Sequence, residues 1–372
     1  MSKNLKNINR IISLGLMSGT SQDGIDVGII ETNGDKIYDI GPSLSFPYSD
    51  IFRKKLRKII NNAVNSSLPS NNNQVSVELS QLHIKAIGKL IDSLSLDNKY
   101  KNPDIIGFHG HTIIHLPEKS LTQQIGDSKY IANKLNIPVV GDFRLNDVLN
   151  GGQGAPLVPI FHKAMIQNEI SPIAIINIGG ISNITWIDNS NNKLIAFDMG
   201  PGNCLLDDWV VKHTDEKYDR DGIFSYSGIV NDKWVSKMMK NNFFLKLYPK
   251  SIDRSYFTSR GLSTLNFEDG AATLISLTVK SILAGINQCP RLPKYIYLSG
   301  GGRKNKTLIR ELKKNCSCEI LMIDEIDWDG DMLEANAFAF LAVRTLKGFP
   351  LTYPQTTGVR TPMLGGKVFL PD

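Results

Sequence analysis

Cysteine is scarce in this sequence, and the spacings typical of zinc or redox sites are absent. The 372 residues include four cysteines, Cys204, Cys289, Cys316 and Cys318, and the one close pair has a C-x-C spacing that fits neither kind of site. We therefore expect free thiols and a reducing compartment. The chain has no run of about 18 apolar residues, and its first residues lack the features of a signal peptide. We expect a cytoplasmic protein.

An excess of charge of one sign is also missing. The 42 basic and 36 acidic side chains leave a formal net charge of +6 at pH 7, which is weak support for a nucleic-acid partner. We expect neither a nucleic-acid nor a membrane partner. The hydrophobic content of 41% is ordinary for a globular protein. Because single cores stop growing at roughly 250–300 residues, the length predicts two domains.

The common nucleotide-binding motifs are absent too. The sequence has no G-x-x-x-x-G-K-[ST], and no G-x-G-x-x-G follows a predicted strand and opens a helix, so P-loop and dinucleotide-binding folds are disfavoured. Instead, apolar strands run into glycine-rich turns in residues 11–31, 173–188 and 295–305. In the first two segments a second apolar run follows at once, which predicts β-hairpins.

Strands and helices alternate after each predicted hairpin, which indicates an internally duplicated α/β protein. We place the domain division near residue 170. The first domain is predicted to span residues 1–170 and the second residues 171–344, and the tail of about residues 345–372 is expected to pack back on the first. Such a pair of domains is expected to enclose a cleft for nucleotide and substrate.

The first glycine-rich turn, residues 19–24 (GTSQDG), has the composition of a phosphate loop. Backbone N–H groups and hydroxyls can bind phosphate oxygens, whereas the carboxylates of Asp23 and Asp26 would repel them. A magnesium ion between carboxylate and phosphate removes this conflict. A tight hairpin without a ligand explains the same residues, so this segment alone leaves both interpretations open.

Two later turns extend the pattern. Residues 177–183 (NIGGISN) form the turn of the second predicted hairpin, and residues 299–302 (SGGG) lack side chains where a nucleobase or ribose could approach the backbone. The three turns together favour nucleotide binding. Asp198, which precedes a Gly-Pro-Gly turn, is a candidate metal carboxylate or base, and a turn-capping aspartate is the alternative.

A candidate catalytic carboxylate, Asp142, follows the apolar strand 137–140. At that position it could act on a ligand while Arg144 balances charge, although a plain Asp–Arg surface pair fits the same residues. The next glycine-rich segment, residues 151–156 (GGQGAP), is flexible enough to close over a ligand or to act as a hinge.

Three histidines and one glutamate complete the candidates. His109, His111 and His115 lie within seven residues, and although a metal site is conceivable, we favour hydrogen bonds to sugar or phosphate, or simple packing, because no cysteine or carboxylate cluster completes a ligand set. Glu334 opens a predicted helix of small residues. A carboxylate in a first helical turn can complement the helix dipole without any further role.

Nine segments carry a family resemblance. In order they read MSGTSQDGID, GFHGHTIIH, QIGD, VVGDFR, GGQGAPLVPIFH, NIGGISNIT, FDMGPGN, SGGGRKN and EANAFAFLAVR. From about Gly15 to Pro371 the chain thus resembles anhydro-N-acetylmuramic acid kinase, a family of the acetate and sugar kinase, Hsp70 and actin superfamily. The resemblance implies an actin-like ATPase (ribonuclease H-like) duplicated fold.

The resemblance also implies a reaction. ATP, with magnesium, would be used on 1,6-anhydro-N-acetylmuramic acid, a sugar released in peptidoglycan recycling. Water adds at C1, the internal 1,6-ether opens, and O6 takes the γ-phosphate to give N-acetylmuramic acid 6-phosphate and ADP. The family further suggests a homodimer.

Roles carried over from the family by position concern the base, the sugar, magnesium and the nucleotide. Asp142 would be the general base, Glu334 would contact the sugar, and Asp23 and Asp198 would lie near magnesium. His109 and Arg144 are further sugar-binding candidates from the residues themselves. The implied nucleotide-binding residues are Gly19, Thr20, Ser21, Gln22, Asp23, Gly24, Ile25 and Asp26 in the first phosphate loop, Asn177, Gly179, Gly180 and Asn183 in the second, and Gly300, Gly301, Gly302 and Asn305 near adenosine.

The chain departs from the family pattern at two places. His111 stands where the family commonly has glutamine, and residues 250–255 differ from the usual P-K-S-T-G-R-E segment after Ser251. One competing hypothesis is a sugar kinase of the same fold that phosphorylates a free hydroxyl without opening a ring. Another is an ATP-gated binding protein, against which the lack of room for a peptide-binding domain counts.

Overall fold

The computed structural model describes residues 5–19, 22–65, 74–167, 169–254 and 256–372. The chain forms two compact units: unit 1 comprises Met1–Ile166 together with Met332–Asp372, and unit 2 comprises Gln167–Asp331. Each unit contains one β-sheet and its own helices.

The strands are β1 Ile11–Ser18, β2 Gly24–Thr32, β3 Ile37–Pro47, β4 Ile105–Leu116, β5 Leu121–Ile125, β6 Val139–Gly141, β7 Ile173–Ile178, β8 Ile181–Asp188, β9 Lys193–Pro201, β10 Tyr295–Ser299, β11 Glu319–Met322 and β12 Lys367–Phe369. The α-helices are α1 Asp50–Asn65, α2 Gln74–Asp92, α3 Ser128–Leu135, α4 Leu145–Leu149, α5 Pro159–Met165, α6 Cys204–His213, α7 Ile223–Tyr226, α8 Asp232–Met238, α9 Asn242–Leu245, α10 Phe267–Ile286, α11 Lys306–Asn315, α12 Leu333–Lys347 and α13 Pro354–Thr357.

The two sheets share one topology. In unit 1 the strand order is β12-β6-β4-β1-β2-β3, with β5 beside β4, and in unit 2 it is β11-β10-β7-β8-β9. Each sheet has an antiparallel meander, β1-β2-β3 or β7-β8-β9, whose first strand pairs in parallel with the next strand of the sheet, β4 or β10. The predicted hairpins and the duplicated α/β fold are confirmed.

The central strand β7 has a more apolar sequence than the edge strand β3. The run IAIINI of β7 is buried at all but one position, as expected for a strand covered on both faces. The edge strand β3 is mostly exposed or half-buried. Both sheets therefore place the glycine-rich turns next to well-packed central strands.

Helix α12 belongs to unit 1, although the sequence analysis placed residues up to 344 in the second domain. A Cβ atom added to Gly15 of β1 would lie 1.9 Å from the Ala335 carbonyl oxygen, and one added to Gly107 of β4 would lie 2.1 Å from that of Phe338. The helix therefore packs directly on the glycines of two strands. This long-range packing, which local sequence does not encode, corrects the domain boundary.

The core of unit 2 is built around α10. By length and composition α10 is long and apolar enough to cross a membrane, yet 72% of its most apolar stretch is buried inside the protein. Its N-terminus is capped by Asn266, whose Oδ1 accepts a hydrogen bond from the N–H of Asp269 at 2.7 Å.

Candidate active site

The first hairpin turn lies between β1 and β2 of unit 1. Gln22 adopts a left-handed conformation (φ 56°), and its N–H donates to the carbonyl of Gly19 at 3.1 Å. The carbonyl of Asp23 accepts a hydrogen bond from the N–H of Tyr48 at 2.9 Å, and Arg57 Nε donates to Gln22 Oε1 at 3.2 Å. The turn is thus held by neighbouring segments while the Asp23 side chain is exposed.

Other residues predicted for this loop differ in what they can offer a ligand. Thr20 and Ser21 lie outside the described residues. Ile25 is fully buried in the core of unit 1, so only its backbone could serve a nucleotide. Asp26 is half-buried and accepts a hydrogen bond from Ser45 Oγ at 2.6 Å.

Asp142 follows β6 directly and has a left-handed backbone (φ 55°). Residues other than glycine seldom adopt this conformation, and those that do concentrate at functional sites. Although the residue is exposed, desolvation by the protein around it raises the pKa of its carboxyl group, and the Lys367 ammonium opposes this rise. Lys367 belongs to β12, which pairs antiparallel with β6 so that Lys367 lies opposite Gly141. The C-terminal strand therefore brings a cation to the candidate base.

Arg144 is joined to His109 rather than exposed as a surface partner of Asp142. Its Nε donates to His109 Nε2 at 2.9 Å, and its Nη1 donates to the carbonyl of Gly154 at 2.7 Å. His109 Nδ1 donates to the carbonyl of Gly110 at 2.9 Å. Because both ring nitrogens are engaged, His109 holds Arg144, and a sugar contact through its ring nitrogens would require breaking one of these bonds.

Glu334 lies in the first turn of α12, where its carboxyl group interacts with the charged groups of Arg144 and Asp26 in the same unit. Although the residue is exposed, desolvation by the protein around it raises the pKa of its carboxyl group, the Arg144 guanidinium lowers it, and the carboxylate of Asp26 raises it. Burial in turn lowers the pKa of Arg144 to about 10. The structure thus brings Glu334, Arg144 and His109 together in unit 1, within electrostatic reach of the first phosphate loop.

The glycine-rich segment 151–156, predicted to be flexible, is tied down. Its Gln153 N–H donates to the carbonyl of Thr357 at 2.7 Å, and its Gly154 N–H donates to Asp147 Oδ1 at 2.6 Å. These partners lie in α4 and in α13. These hydrogen bonds hold the segment in the present conformation, and closure over a ligand or a hinge role stays a prediction.

A row of polar residues crosses the sheet of unit 2. Asn177 of β7 is in register with Ser299 of β10 and with Asn183 of β8, and Asn183 is in register with Asp198 of β9. The row lies beside the turn of the second hairpin, at residues 179 and 180. The structure therefore places three residues predicted for phosphate or metal binding on adjacent strands.

Asn203, which the sequence did not identify as a site residue, links the turns of unit 2. Its N–H donates to the carbonyl of Gly179 at 2.8 Å, and its Nδ2 donates to the carbonyl of Ile178 at 3.0 Å. The N–H of Gly202 donates to the carbonyl of Gly180 at 2.9 Å. The sequence signal for Asn203 was its position after the Gly-Pro-Gly turn.

The third turn, Gly300–Gly302, packs against the second hairpin at Asn177 and Ile178 and is fixed by Arg303. A Cβ atom on Gly300 would lie 2.2 Å from Asn177 Oδ1. Arg303 Nη1 donates to the carbonyl of Gly300 at 3.1 Å and to Asp331 Oδ1 at 2.8 Å, and Arg303 Nε donates to Asp324 Oδ2 at 2.8 Å. The turn is thus anchored to two carboxylates.

Asn305, predicted to lie near adenosine, is the N-cap of α11. Its Oδ1 accepts a hydrogen bond from the N–H of Leu308 at 2.9 Å, and its Nδ2 donates to the carbonyl of Asp219 at 3.4 Å. The residue is 7% exposed. Helix capping therefore accounts for this asparagine without a nucleotide.

The carboxylate of Asp198, a candidate for magnesium binding, suits an ion that is shared with a polyphosphate. Among the described residues, no group of three or more His, Cys, Asp and Glu could hold a metal by itself, whereas magnesium is usually bound by one or two carboxylates together with phosphates and water. Asp198 Oδ2 accepts a hydrogen bond from the N–H of Ile252 at 2.9 Å. Burial raises the pKa of Asp198 to about 7, and a nearby cation would favour its ionised form.

The other two histidines of the cluster, His111 and His115, form hydrogen bonds within unit 1. His111 Nδ1 and Ser18 Oγ are 2.8 Å apart, and Ser18 Oγ lies 2.7 Å from Tyr48 Oη. His115 donates from Nε2 to the carbonyl of Gln153 at 2.9 Å. The hydrogen bonds of His111, the residue that departs from the family pattern, lead to the end of β1, next to the first phosphate loop.

Comparison with known proteins gives the family. Residues 11–371 match the family model described as anhydro-N-acetylmuramic acid kinase. Proteins named anhydro-N-acetylmuramic acid kinase from Bradyrhizobium diazoefficiens and Zymomonas mobilis are both 41% identical to the chain. The alignments cover 97% of this chain and 100% of the first relative, and 96% of this chain and 99% of the second.

Solved structures are more distant. A ligand-bound xylulose kinase from Lactobacillus acidophilus aligns with a TM-score of 0.45 and 12% identity, over 98% of this chain and 94% of that protein. The family assignment depends on the sequence matches, which span nearly the whole chain at about 40% identity. The chain belongs to the anhydro-N-acetylmuramic acid kinase family.

Proposed function

We propose that this kinase uses ATP to open 1,6-anhydro-N-acetylmuramic acid hydrolytically and to phosphorylate O6, giving N-acetylmuramic acid 6-phosphate and ADP in peptidoglycan recycling and amino-sugar catabolism. Family membership supports this substrate. The observation that carries the proposal is Asp142, an aspartate with a left-handed backbone and a raised pKa at the end of β6. A carboxylate of this kind suits a general base.

The proposed step begins with water. Asp142 takes a proton from the water molecule as the water oxygen forms a bond to C1, and the C1–O6 bond breaks with its electron pair moving to O6. O6 forms a bond to the γ-phosphorus while the bond from phosphorus to the ADP oxygen breaks. The positive charge that develops at C1 is stabilised by a carboxylate. Because the phosphoryl group captures the O6 alkoxide, no protein acid is needed at O6.

The sugar-side residues are proposed to orient the substrate. Glu334 can accept hydrogen bonds from sugar hydroxyls, and Arg144, held by His109 and the carbonyl of Gly154, balances the charge of Glu334. Holding the substrate close to its reactive geometry lowers the barrier substantially. His109 is proposed to act through Arg144.

The nucleotide-side residues are proposed to bind ATP through glycine-rich turns. Residues 19–26 would serve as the first phosphate loop, residues 177–183 as the second, and residues 300–302 would lie against adenosine. Asp23 and Asp198 are each proposed to lie near magnesium, which when bound would neutralise charge on the phosphate oxygens. A homodimer, a cytoplasmic location and the absence of nucleic-acid and membrane partners stay predictions.

Replacement of Lys367 by methionine is expected to move the acid limb of the kcat/KM profile to higher pH. The Lys367 ammonium lowers the pKa of Asp142, so its loss raises that pKa further and leaves less ionised base at a given acidic pH. The measurement is kcat/KM for the sugar against pH. Lys367→Arg, which keeps the charge, should retain the wild-type limb, and an unchanged limb in Lys367→Met would separate Lys367 from the base.

The substrate is tested by following ADP release with different sugars. We expect ADP and one phosphorylated sugar of the mass of N-acetylmuramic acid 6-phosphate when 1,6-anhydro-N-acetylmuramic acid is supplied. N-acetylmuramic acid, whose ring ether is already open, should support little turnover. Equal turnover with both sugars would favour a kinase that phosphorylates a free hydroxyl.

A further inference from the structure

Asp147 of α4 is a buried carboxylate, 2% exposed, to which the proposed function gives no role. Its Oδ1 accepts a hydrogen bond from the N–H of Gly154 at 2.6 Å. Its Oδ2 accepts hydrogen bonds from the hydroxyls of Thr357, at 2.7 Å, and Thr352. The carbonyl of Asp147 also accepts from the N–H of Gly152 at 2.9 Å. Uncharged donors thus surround the carboxylate and fasten it to two separate segments.

The turn at residues 152–154, which Asp147 holds, offers its carbonyl groups to Arg144 and His115. The carbonyl of Gly154 accepts from Arg144 Nη1 at 2.7 Å, and the carbonyl of Gln153 accepts from His115 Nε2 at 2.9 Å. Arg144 in turn donates to His109 Nε2. Gly154 is therefore bound on both sides: its N–H donates to Asp147, and its carbonyl, in the next peptide group, accepts from Arg144, which in turn binds His109.

The local sequence alone does not fix the position of Gly154. Its φ is 64°, and a Cβ atom at this position would lie 2.5 Å from Val148 Cγ2. Glycine loses more backbone freedom on folding than other residues, and residues 151–154 contain three glycines. A buried acceptor that receives the Gly154 N–H and two threonine hydroxyls therefore compensates for a sequence that does not fix the turn locally.

We infer that Asp147 is a positioning residue of the sugar-side site: it fixes the turn at residues 152–154 so that the Gly154 carbonyl holds Arg144 against His109. Asp147 touches neither substrate nor nucleotide in this role and acts through Arg144. The two threonines make the C-terminal segment 352–357 part of the same support. The kinetic consequence rests on the proposed function, whereas the effect on Arg144 and His109 does not.

The alternative is that Asp147 only anchors the C-terminal segment. Its neighbour Asn146 supplies a matched control, because Asn146 Nδ2 binds the C-terminal tail just beyond this segment, donating to the carbonyl of Leu364 at 2.6 Å. None of the hydrogen bonds of the Asn146 side chain reaches the turn at residues 152–154. Loss of the Asn146 contact therefore reproduces weaker anchoring without disturbing Arg144.

The test compares Asp147→Ala, Asp147→Asn and Asn146→Ala in the full-length protein. The imidazole nitrogens of His109 are followed by ¹⁵N NMR, because Arg144 fixes His109 with its proton on Nδ1 and its Nε2 as acceptor. We expect Asp147→Ala to shift the Nε2 signal, and Asp147→Asn, whose Oδ1 can still accept from Gly154, to restore it. Asn146→Ala should leave it unchanged.

Kinetics give the second readout. Asp147→Ala should lower kcat/KM for the sugar by about 10²-fold, the scale of a 1 Å misplacement, with KM for ATP unchanged, and Asp147→Asn should recover most of this loss. If Asp147→Ala does not fold, the double variant Thr352→Val with Thr357→Val, which keeps the carboxylate, should shift the His109 signal in the same direction.

An unchanged His109 signal in Asp147→Ala or in the double threonine variant would overturn the inference, as would an equal shift in Asn146→Ala. If the wild-type protein fails to turn over the anhydro sugar, the proposed function fails, while the His109 signal still decides the role of Asp147.

Discussion

Asp142→Asn is expected to lower kcat by at least ~10³-fold, the scale of removing a positioned base, while ATP binding is retained. Asparagine has nearly the shape of aspartate and is among the few residues that tolerate a left-handed backbone, so the φ of 55° at this position can persist. The variant loses the proton acceptor and little else. Turnover is measured by ADP release with saturating sugar, and ATP binding by calorimetry.

A matched control is available at Asp327, an exposed aspartate with a similar backbone (φ 62°). Asp327→Asn makes the same chemical change in the same conformation, and we expect wild-type turnover. Near-normal activity in Asp142→Asn would remove Asp142 from the mechanism, whereas equal losses in both variants would point to the backbone conformation instead of the base.

Gly202→Ala is expected to raise KM for ATP by about 10²-fold, because it displaces the turn of the second hairpin, which we propose binds phosphate. A Cβ atom on residue 202 would lie 2.2 Å from the carbonyl oxygen of Gly179, so the backbone at the loop must move apart. The N–H of Asn203, which donates to the same carbonyl at 2.8 Å, would move with it. Overpacking of this kind also destabilises a protein by roughly 1–3 kcal/mol.

The comparison variant is Gly88→Ala in α2, where an added Cβ atom meets nothing within 4 Å. It should leave KM for ATP unchanged and should not lower the melting temperature, since alanine favours helix over glycine. If Gly202→Ala binds ATP as tightly as the wild type and melts at the same temperature, the second loop does not depend on this close approach.

Local sequence signals predicted the parts of the fold that depend on neighbouring residues. The runs of β1 and β7, each followed by a glycine-rich turn and a second apolar run, predicted both hairpins, and the structure confirms them. The repeated order of strands and helices predicted the duplicated α/β fold, which the shared sheet topology confirms. Period and turn chemistry suffice for such features.

Features that depend on distant residues were missed. The packing of α12 on Gly15 and Gly107 joins segments far apart in the chain, and no local pattern distinguishes it from packing in the second domain. The position of Lys367 beside Asp142 follows from the pairing of β12 with β6, and the three-residue strand β12 gives a weak signal of its own.

The sequence predicted which residues belong to the candidate site, but not which partners their side chains bind. The sequence identified His109 and Arg144 as substrate-binding candidates, but the structure shows that they bind each other. The sequence also identified Asn305 as a candidate near adenosine, whereas the structure shows that its side chain caps α11. Polar residues beside glycine-rich turns can serve ligands or the turns themselves, and only the hydrogen-bond partners distinguish these uses.

The central claim, hydrolytic opening of the 1,6-ether coupled to phosphorylation of O6, is tested most directly by incubating the protein with ATP and 1,6-anhydro-N-acetylmuramic acid in ¹⁸O-water. Mass spectrometry of the phosphorylated sugar and its fragments locates the label. Hydrolytic opening coupled to phosphorylation should place one ¹⁸O atom at C1 and none in the phosphoryl group. A phosphorylated product without ¹⁸O at C1 would contradict it.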